Sequence, residues 1–156
     1  MGILWNPREI CLDDLRESRL VLSVSFHILG SSIRGVISNV YGPSKVALKP
    51  VFLDDLVWVG RTRWEAHWVV GGDFNLIHNL EEKKGRIRQL NLHQEQSGEA
   101  IDALRLIDLC TSNNLFKWNN MRTRDHSIAS RLDRFLISES IFTGGRCLPS
   151  CYHQLG

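Results

Sequence analysis

The run His67-Trp68-Val69-Val70-Gly71-Gly72-Asp73-Phe74-Asn75 joins an apolar segment to two glycines, a carboxylate and a carboxamide. Its first five residues read as a buried strand bounded by turn signals. The glycines let the backbone turn tightly or approach a ligand closely. In α/β folds, sites form at such strand ends. If extended geometry persists, Asp73 and Asn75 face the same way. One can then handle a water or a metal while the other donates a hydrogen bond to an anion. Spacing alone fits equally well a strand followed by an Asx turn.

Working outward, residues 20–29 (LVLSVSFHIL) alternate apolar and polar positions, and residues 33–41 (IRGVISNVY) read as a second strand. Gly30-Ser31-Ser32 between them predicts an antiparallel hairpin. Gly42-Pro43-Ser44 ends it. Val51, Phe52, Leu56 and Val59 then recur at helical spacing, with Pro50 near a first turn. Past the opening run, residues 81–88 (EEKKGRIR) read as a polar, basic loop, either a solvated surface or a source of phosphate contacts. Apolar spacing predicts a helix over 100–109. Short strands are expected at 116–119 and 130–137, the latter with an embedded acid, and Ser138 is a candidate cap for a final helical turn. Hairpins mixed with a helical crossover make the class α/β or α+β.

With 156 residues, the chain can bury a core of its own. Its 43% hydrophobic and 23% charged content is ordinary for a globular domain. A net charge of +2 neither demands nor excludes a nucleic-acid partner, because local patches matter more than the total. Cys11, Cys110, Cys147 and Cys151 show no disulfide framework and read as free thiols. Cys147, Cys151 and His153 cluster, but a zinc site would need a fourth ligand, so a loosely ordered tail is the simpler reading. No apolar stretch approaches the ~20 residues of a membrane helix. Nothing at the amino end resembles a signal peptide, so an intracellular location, nuclear or cytoplasmic, is expected.

Four segments taken in order carry more information than any one of them. They are Asn39-Val40-Tyr41-Gly42-Pro43, Gly71-Gly72-Asp73-Phe74-Asn75, Phe116-Lys117-Trp118-Asn119-Asn120 and Ser130-Arg131-Leu132-Asp133-Arg134-Phe135. The series resembles the endonuclease/exonuclease/phosphatase superfamily of abasic-site endonucleases and DNase I. Its likeness is greatest to the nuclease region of plant LINE-type (non-LTR) retrotransposon polyproteins. It covers residues 2–142, leaving 143–156 as a divergent, disordered tail. The fold it implies is a partial four-layer α/β sandwich of DNase I-like type.

By that resemblance, Asp73 orients or deprotonates the attacking water, and Asn75 binds a phosphate oxygen. Tyr41 contacts the scissile phosphate or leaving group, and Asp133 pairs with a catalytic histidine. Asn39, Trp118 and Asn119 match substrate-contacting positions. The implied cofactor is Mg²⁺ and the implied partner is DNA, with no membrane and no evident protein partner. Each role has a structural rival. Tyr41 can be a strand-end aromatic with its hydroxyl in water, and Trp118 can be core packing. Asp133 can simply pair with Arg131 or Arg134.

The resemblance also implies residues that this sequence does not supply. A strand with an Asn and one with a metal-binding Glu belong before residue 2, and a Ser-Asp-His motif belongs after the SRLDRF segment. Asp125-His126 falls on the wrong side of that segment, and His153 lacks the preceding acid. The expectation is therefore a fragment truncated at both ends, with no metal ligand set, weak Mg²⁺ binding and negligible nuclease activity alone. Two other readings are an inositol-phosphate phosphatase relative and a non-catalytic remnant. The remnant would bind nucleic acid weakly through Lys83, Lys84, Arg86 and Arg88, or do nothing.

Overall fold

The alternating residues 20–41 pair on themselves as their pattern predicts. A computed structural model describes residues 1–62, 67–77, 80–84, 89–109, 118–119 and 129–143. In chain order these form β1 (Ile10–Glu17), β2 (Val21–Ile28), β3 (Arg34–Tyr41), α1 (Lys49–Thr62), β4 (His67–Asp73) and β5 (Lys83–Lys84). Then come α2 (Leu92–Ala103), β6 (Leu106–Asp108), β7 (Trp118–Asn119), β8 (Ala129–Ser130), β9 (Asp133–Ser138) and the single turn α3 (Ser140–Thr143). The larger sheet has the order β1-β2-β3-β4-β9-β6, and a smaller one has the order β5-β8-β7. The larger sheet is antiparallel except at its centre, where β3 and β4 run parallel. Parallel neighbours need a crossover, and α1 provides it.

One face of this sheet is closed. Val36, Val40, Trp68, Val70 and Leu136 join Phe52, Leu53, Leu56 and Val59 of α1 in one core, with Ile101 of α2. Each such burial contributes about 1.5–3 kcal/mol before chain entropy is counted. The indole and hydroxyl groups taken into that core pair with one another. The Trp68 indole N–H donates to Ser38 Oγ at 2.9 Å, and Ser38 Oγ meets Ser23 Oγ at 2.7 Å. On the other face, Ile37, Asn39, Val69 and Gly71 are only half-buried.

Four local expectations change. The helix expected over 100–109 begins earlier, at Leu92, under a capping box in which Asn91 and Gln94 bond each other's backbone N–H. It stops at Ala103, Arg105 adopts φ 50°, and Leu106–Asp108 becomes a strand because β9 offers it a ladder. The strand expected over 130–137 breaks at Arg131-Leu132, so Ser130 joins the small sheet and Asp133 the large one. In the loop expected at 81–88, Glu82 ends a 3-10 turn and is buried, and β5 follows it. Ser138 takes the Trp68 N–H at 2.9 Å, and α3 starts two residues later.

Several expectations fall outside the described residues: Asp125-His126, Arg86, Arg88, Cys110, and the Cys147, Cys151 and His153 cluster. Among the described residues no helix is long and apolar enough to cross a membrane.

Candidate active site

Register alone gathers three of the residues singled out by motif. Tyr41 at the end of β3 is the partner of Asp73 in β4, and Asp73 is the partner of Asp133 at the start of β9. They lie in one row across three adjacent strands, about 5 Å per step. Tyr41 and Asp133 are exposed, whereas Asp73 is half-buried. Asn39 lies two residues back in β3, its Nδ2 donating to the Gly2 carbonyl at 3.0 Å.

Two glycines set this geometry. Gly72 has φ 141°, and a Cβ there would run into the Val40 carbonyl oxygen. Gly42, just after Tyr41, donates its N–H to the Asp73 carbonyl at 2.6 Å. A Cβ on Gly42 would meet the Phe74 carbonyl. The glycines of both motifs therefore hold the ends of β3 and β4 in close backbone contact.

Beyond Asp73 the chain does not stay extended. Asn75 adopts φ 48°, and its N–H donates to Asp73 Oδ1 at 2.8 Å. This is the Asx turn, and it coexists with the site by fixing the Asp73 carboxylate. The Asn75 amide donates through Nδ2 to the Gly42 carbonyl at 2.7 Å. Asp73 and Asn75 are joined through a turn, then, and not through a shared strand face.

Asp73 is held above the ordinary carboxylate pKa. Desolvation at the strand end raises it, the Asn75 N–H lowers it, and repulsion from Asp133 raises it again. The suggested ion pairs of Asp133 with Arg131 or Arg134 do not form. Arg131 binds Asp108 through two hydrogen bonds of 3.0 and 2.6 Å, and Arg134 binds Glu82 through two of 3.1 Å. Arg134 also donates to the Leu76 carbonyl at 2.7 Å, which ties the loop after β4 to β9.

Lys49 is the residue near the site that sequence reasoning missed. It opens α1, is only 9% exposed, and reaches the Asn75 carbonyl with Nζ at 3.5 Å. Burial lowers its pKa. Its only sequence signal is its position just after the Gly42-Pro43-Ser44 break. Trp118 and Asn119 form β7 in the small sheet, paired with Ser130 and Ala129, and the contacts expected of their side chains fall outside what is described.

No protein-family model matches the sequence, and no curated protein matches it either. Solved structures do. The endonuclease domain of TRAS1, a telomere-specific non-LTR retrotransposon, superposes with a TM-score of 0.62 at 16% identity over 85% of this chain. An endonuclease/exonuclease/phosphatase family protein from Bacteroides thetaiotaomicron gives 0.53 at 11% identity over 87%. The catalytic domain of human nocturnin gives 0.52 at 12% over 85%. The chain spans 58%, 54% and 49% of those three, about half of each. The architecture is a DNase I-like α/β fold, shared with these solved structures.

Proposed function

We propose that this chain carries part of the site of a Mg²⁺-dependent DNA endonuclease, of the kind a LINE-type retroelement uses to nick its target. The observation that supports this is the row Tyr41–Asp73–Asp133 with Asn75 folded beside it. Phosphodiester hydrolysis needs a placed water, charge stabilisation on the non-bridging oxygens and help for the leaving alkoxide.

Asp73 accepts the proton of the attacking water. Its raised pKa brings it closer to the working pH, which favours a general base. Asn75, held by Gly42, keeps a second amide N–H for a phosphate oxygen. Tyr41 presents an exposed phenol at the same strand ends for the phosphate or leaving group. Asp133 would orient an imidazole or share a cation.

Two adjacent carboxylates are the hard oxygen donors that Mg²⁺ prefers, so the donor set fits in kind. When bound, the ion would stabilise charge on the leaving oxygen. Asp73 and Asp133 would hold it, and two carboxylates alone hold it weakly.

Supercoiled plasmid with Mg²⁺ tests whether the chain carries only part of the site. The isolated chain is expected to nick no faster than background, and robust nicking abolished by Asp73→Ala would overturn that expectation. Mn²⁺ tests the location separately. Its paramagnetic broadening of amide signals should centre on Tyr41, Asp73, Asn75 and Asp133 and vanish in Asp73→Asn. Broadening centred elsewhere would remove the site.

A further inference from the structure

We infer that the β1–β2 hairpin carries a second metal site, for a borderline-soft ion of the Zn²⁺ class, made by Cys11, Asp13 and His27. The inference does not depend on the nuclease reading. Cys11 and His27 are direct partners in the β1–β2 ladder. The register slips between Leu12 and Asp14, so Asp13 occupies a β-bulge. Bulges re-aim side chains, and this one brings Asp13 Oδ1 to 2.7 Å from His27 Nδ1. One donor atom from each of Cys11, Asp13 and His27 lies within 4.8 Å of the others, the one such group among the described residues.

The donor set decides the ion. Thiolate, imidazole and carboxylate together suit Zn²⁺ or a neighbouring transition metal and not Mg²⁺, which takes oxygen ligands. Bonds of about 2.0–2.3 Å set tetrahedral ligands roughly 3.5 Å apart. Closing from 4.8 Å would draw the three side chains together on the exposed hairpin. The ion would take the place of the hydrogen bond between Asp13 Oδ1 and His27 Nδ1, with the ring proton carried on Nε2 so that the imidazole binds as a neutral ligand. It would also displace the Cys11 thiol proton, so that two negative ligands neutralise the 2+ charge. Water would fill the fourth position.

Arg34, beside His27 in β3, sets the charge balance around this group. Its Nη1 is 3.7 Å from Asp13 Oδ2, the oxygen away from His27, and its side chain is 73% exposed. It can therefore stay on Oδ2 while Oδ1 ligates. The group lies at the start of β3, and Tyr41 lies at its end, roughly 23 Å away at ~3.3 Å per residue. An ion here would pin β1, the edge strand of the large sheet, to β2.

Cobalt substitution tests it in the full chain. Cys110→Ser, Cys147→Ser and Cys151→Ser first remove the other thiols. Co²⁺ should then give a near-ultraviolet thiolate charge-transfer band at one ion per chain, erased by Zn²⁺ and unaffected by Mg²⁺. Adding Cys11→Ser should abolish the band. His27→Ala should weaken Co²⁺ binding about tenfold or more. A missing band in the folded protein, a band that survives Cys11→Ser, or affinity indifferent to His27→Ala would each overturn the site. Should the triple serine background fail to fold, the same readings apply to the native chain. There Cys11→Ser must lower the number of thiolate-bound Co²⁺ ions by one, and an unchanged number would overturn the site.

Discussion

Two charge clusters arise from the same short segment of this chain and end in opposite states. Arg131 and Arg134 turn inward, where Glu82 and Asp108 meet them through paired hydrogen bonds. Asp133, between them, turns outward beside Asp73, and among the described residues neither carboxylate has a cation within ion-pairing distance. Among the described residues the inner cluster pairs two arginines with two carboxylates, and it is almost dry, with the Arg134 side chain 1% and Glu82 3% exposed. The outer one holds two like charges at a strand end with a carboxyl pushed above its ordinary pKa. Stability selects the first arrangement. The second costs stability, and functional sites are where proteins accept such costs. The inner cluster also serves the outer, because Arg134 holds Leu76 in the loop that follows Asn75.

The largest expected effect breaks the inner cluster. Arg134→Ala takes from buried Glu82 one of the two arginines that bond it among the described residues, and frees the Leu76 carbonyl. Losing one partner of a buried pair costs about 3–5 kcal/mol. Urea unfolding should show that loss, or no folded protein at all. The double variant Arg134→Met with Glu82→Gln should lose less than the two single variants combined, because their interaction is counted twice when they are separate. Strict additivity would deny the pairing.

A middle effect is expected at the joint between the clusters. Gly72→Ala puts a side chain at φ 141° and against the Val40 carbonyl. Backbone strain of this kind costs about 1–3 kcal/mol. It should also disturb the Tyr41–Asp73 pairing, read as changed amide shifts on both strands. A variant as stable as the parent with unchanged shifts would show that the glycine is dispensable there.

The contrast also explains what the sequence could disclose. Alternation in 20–41, the apolar run before Gly71-Gly72 and the spacing of Phe52, Leu56 and Val59 are local patterns, and local patterns place β2, β3, β4 and α1. The order of four motifs brings Tyr41, Asp73 and Asp133 together because each ends or begins a strand of one sheet. What stays hidden is non-local. Glu82 looks like part of a solvated loop because its partners Arg131 and Arg134 lie 49 and 52 residues later. Edge strand β1 (ICLDDLRE) is mostly exposed, so no apolar alternation announces it. Helix α2 buries only Ser97 and Ile101, and its readable sign is the capping pair Asn91 and Gln94. Apolar spacing past Ala100 reads as helix, yet β9 turns Leu106–Asp108 into a strand, a choice made by tertiary pairing and not by propensity.

The smallest effect, and the one with the opposite sign, lies in the outer cluster. Asp73→Asn removes a charge repelled by Asp133 and disfavoured by burial, while its Oδ1 still accepts the Asn75 N–H. Asp73 binds its proton more tightly folded than unfolded. Its favourable contribution is therefore complete below the ordinary aspartate value of 3.8 and is lost as pH rises through the raised folded value. The asparagine variant has no such loss. At pH 7 it should melt at or above the temperature of the parent, and the difference should shrink on acidification through that window. Thermal melts at a series of pH values measure both features. A variant less stable than the parent by more than ~1 kcal/mol at neutral pH would place Asp73 with the inner cluster, as structure. Equal or greater stability would mark the strand end after Gly72 as the part of this sheet kept for chemistry.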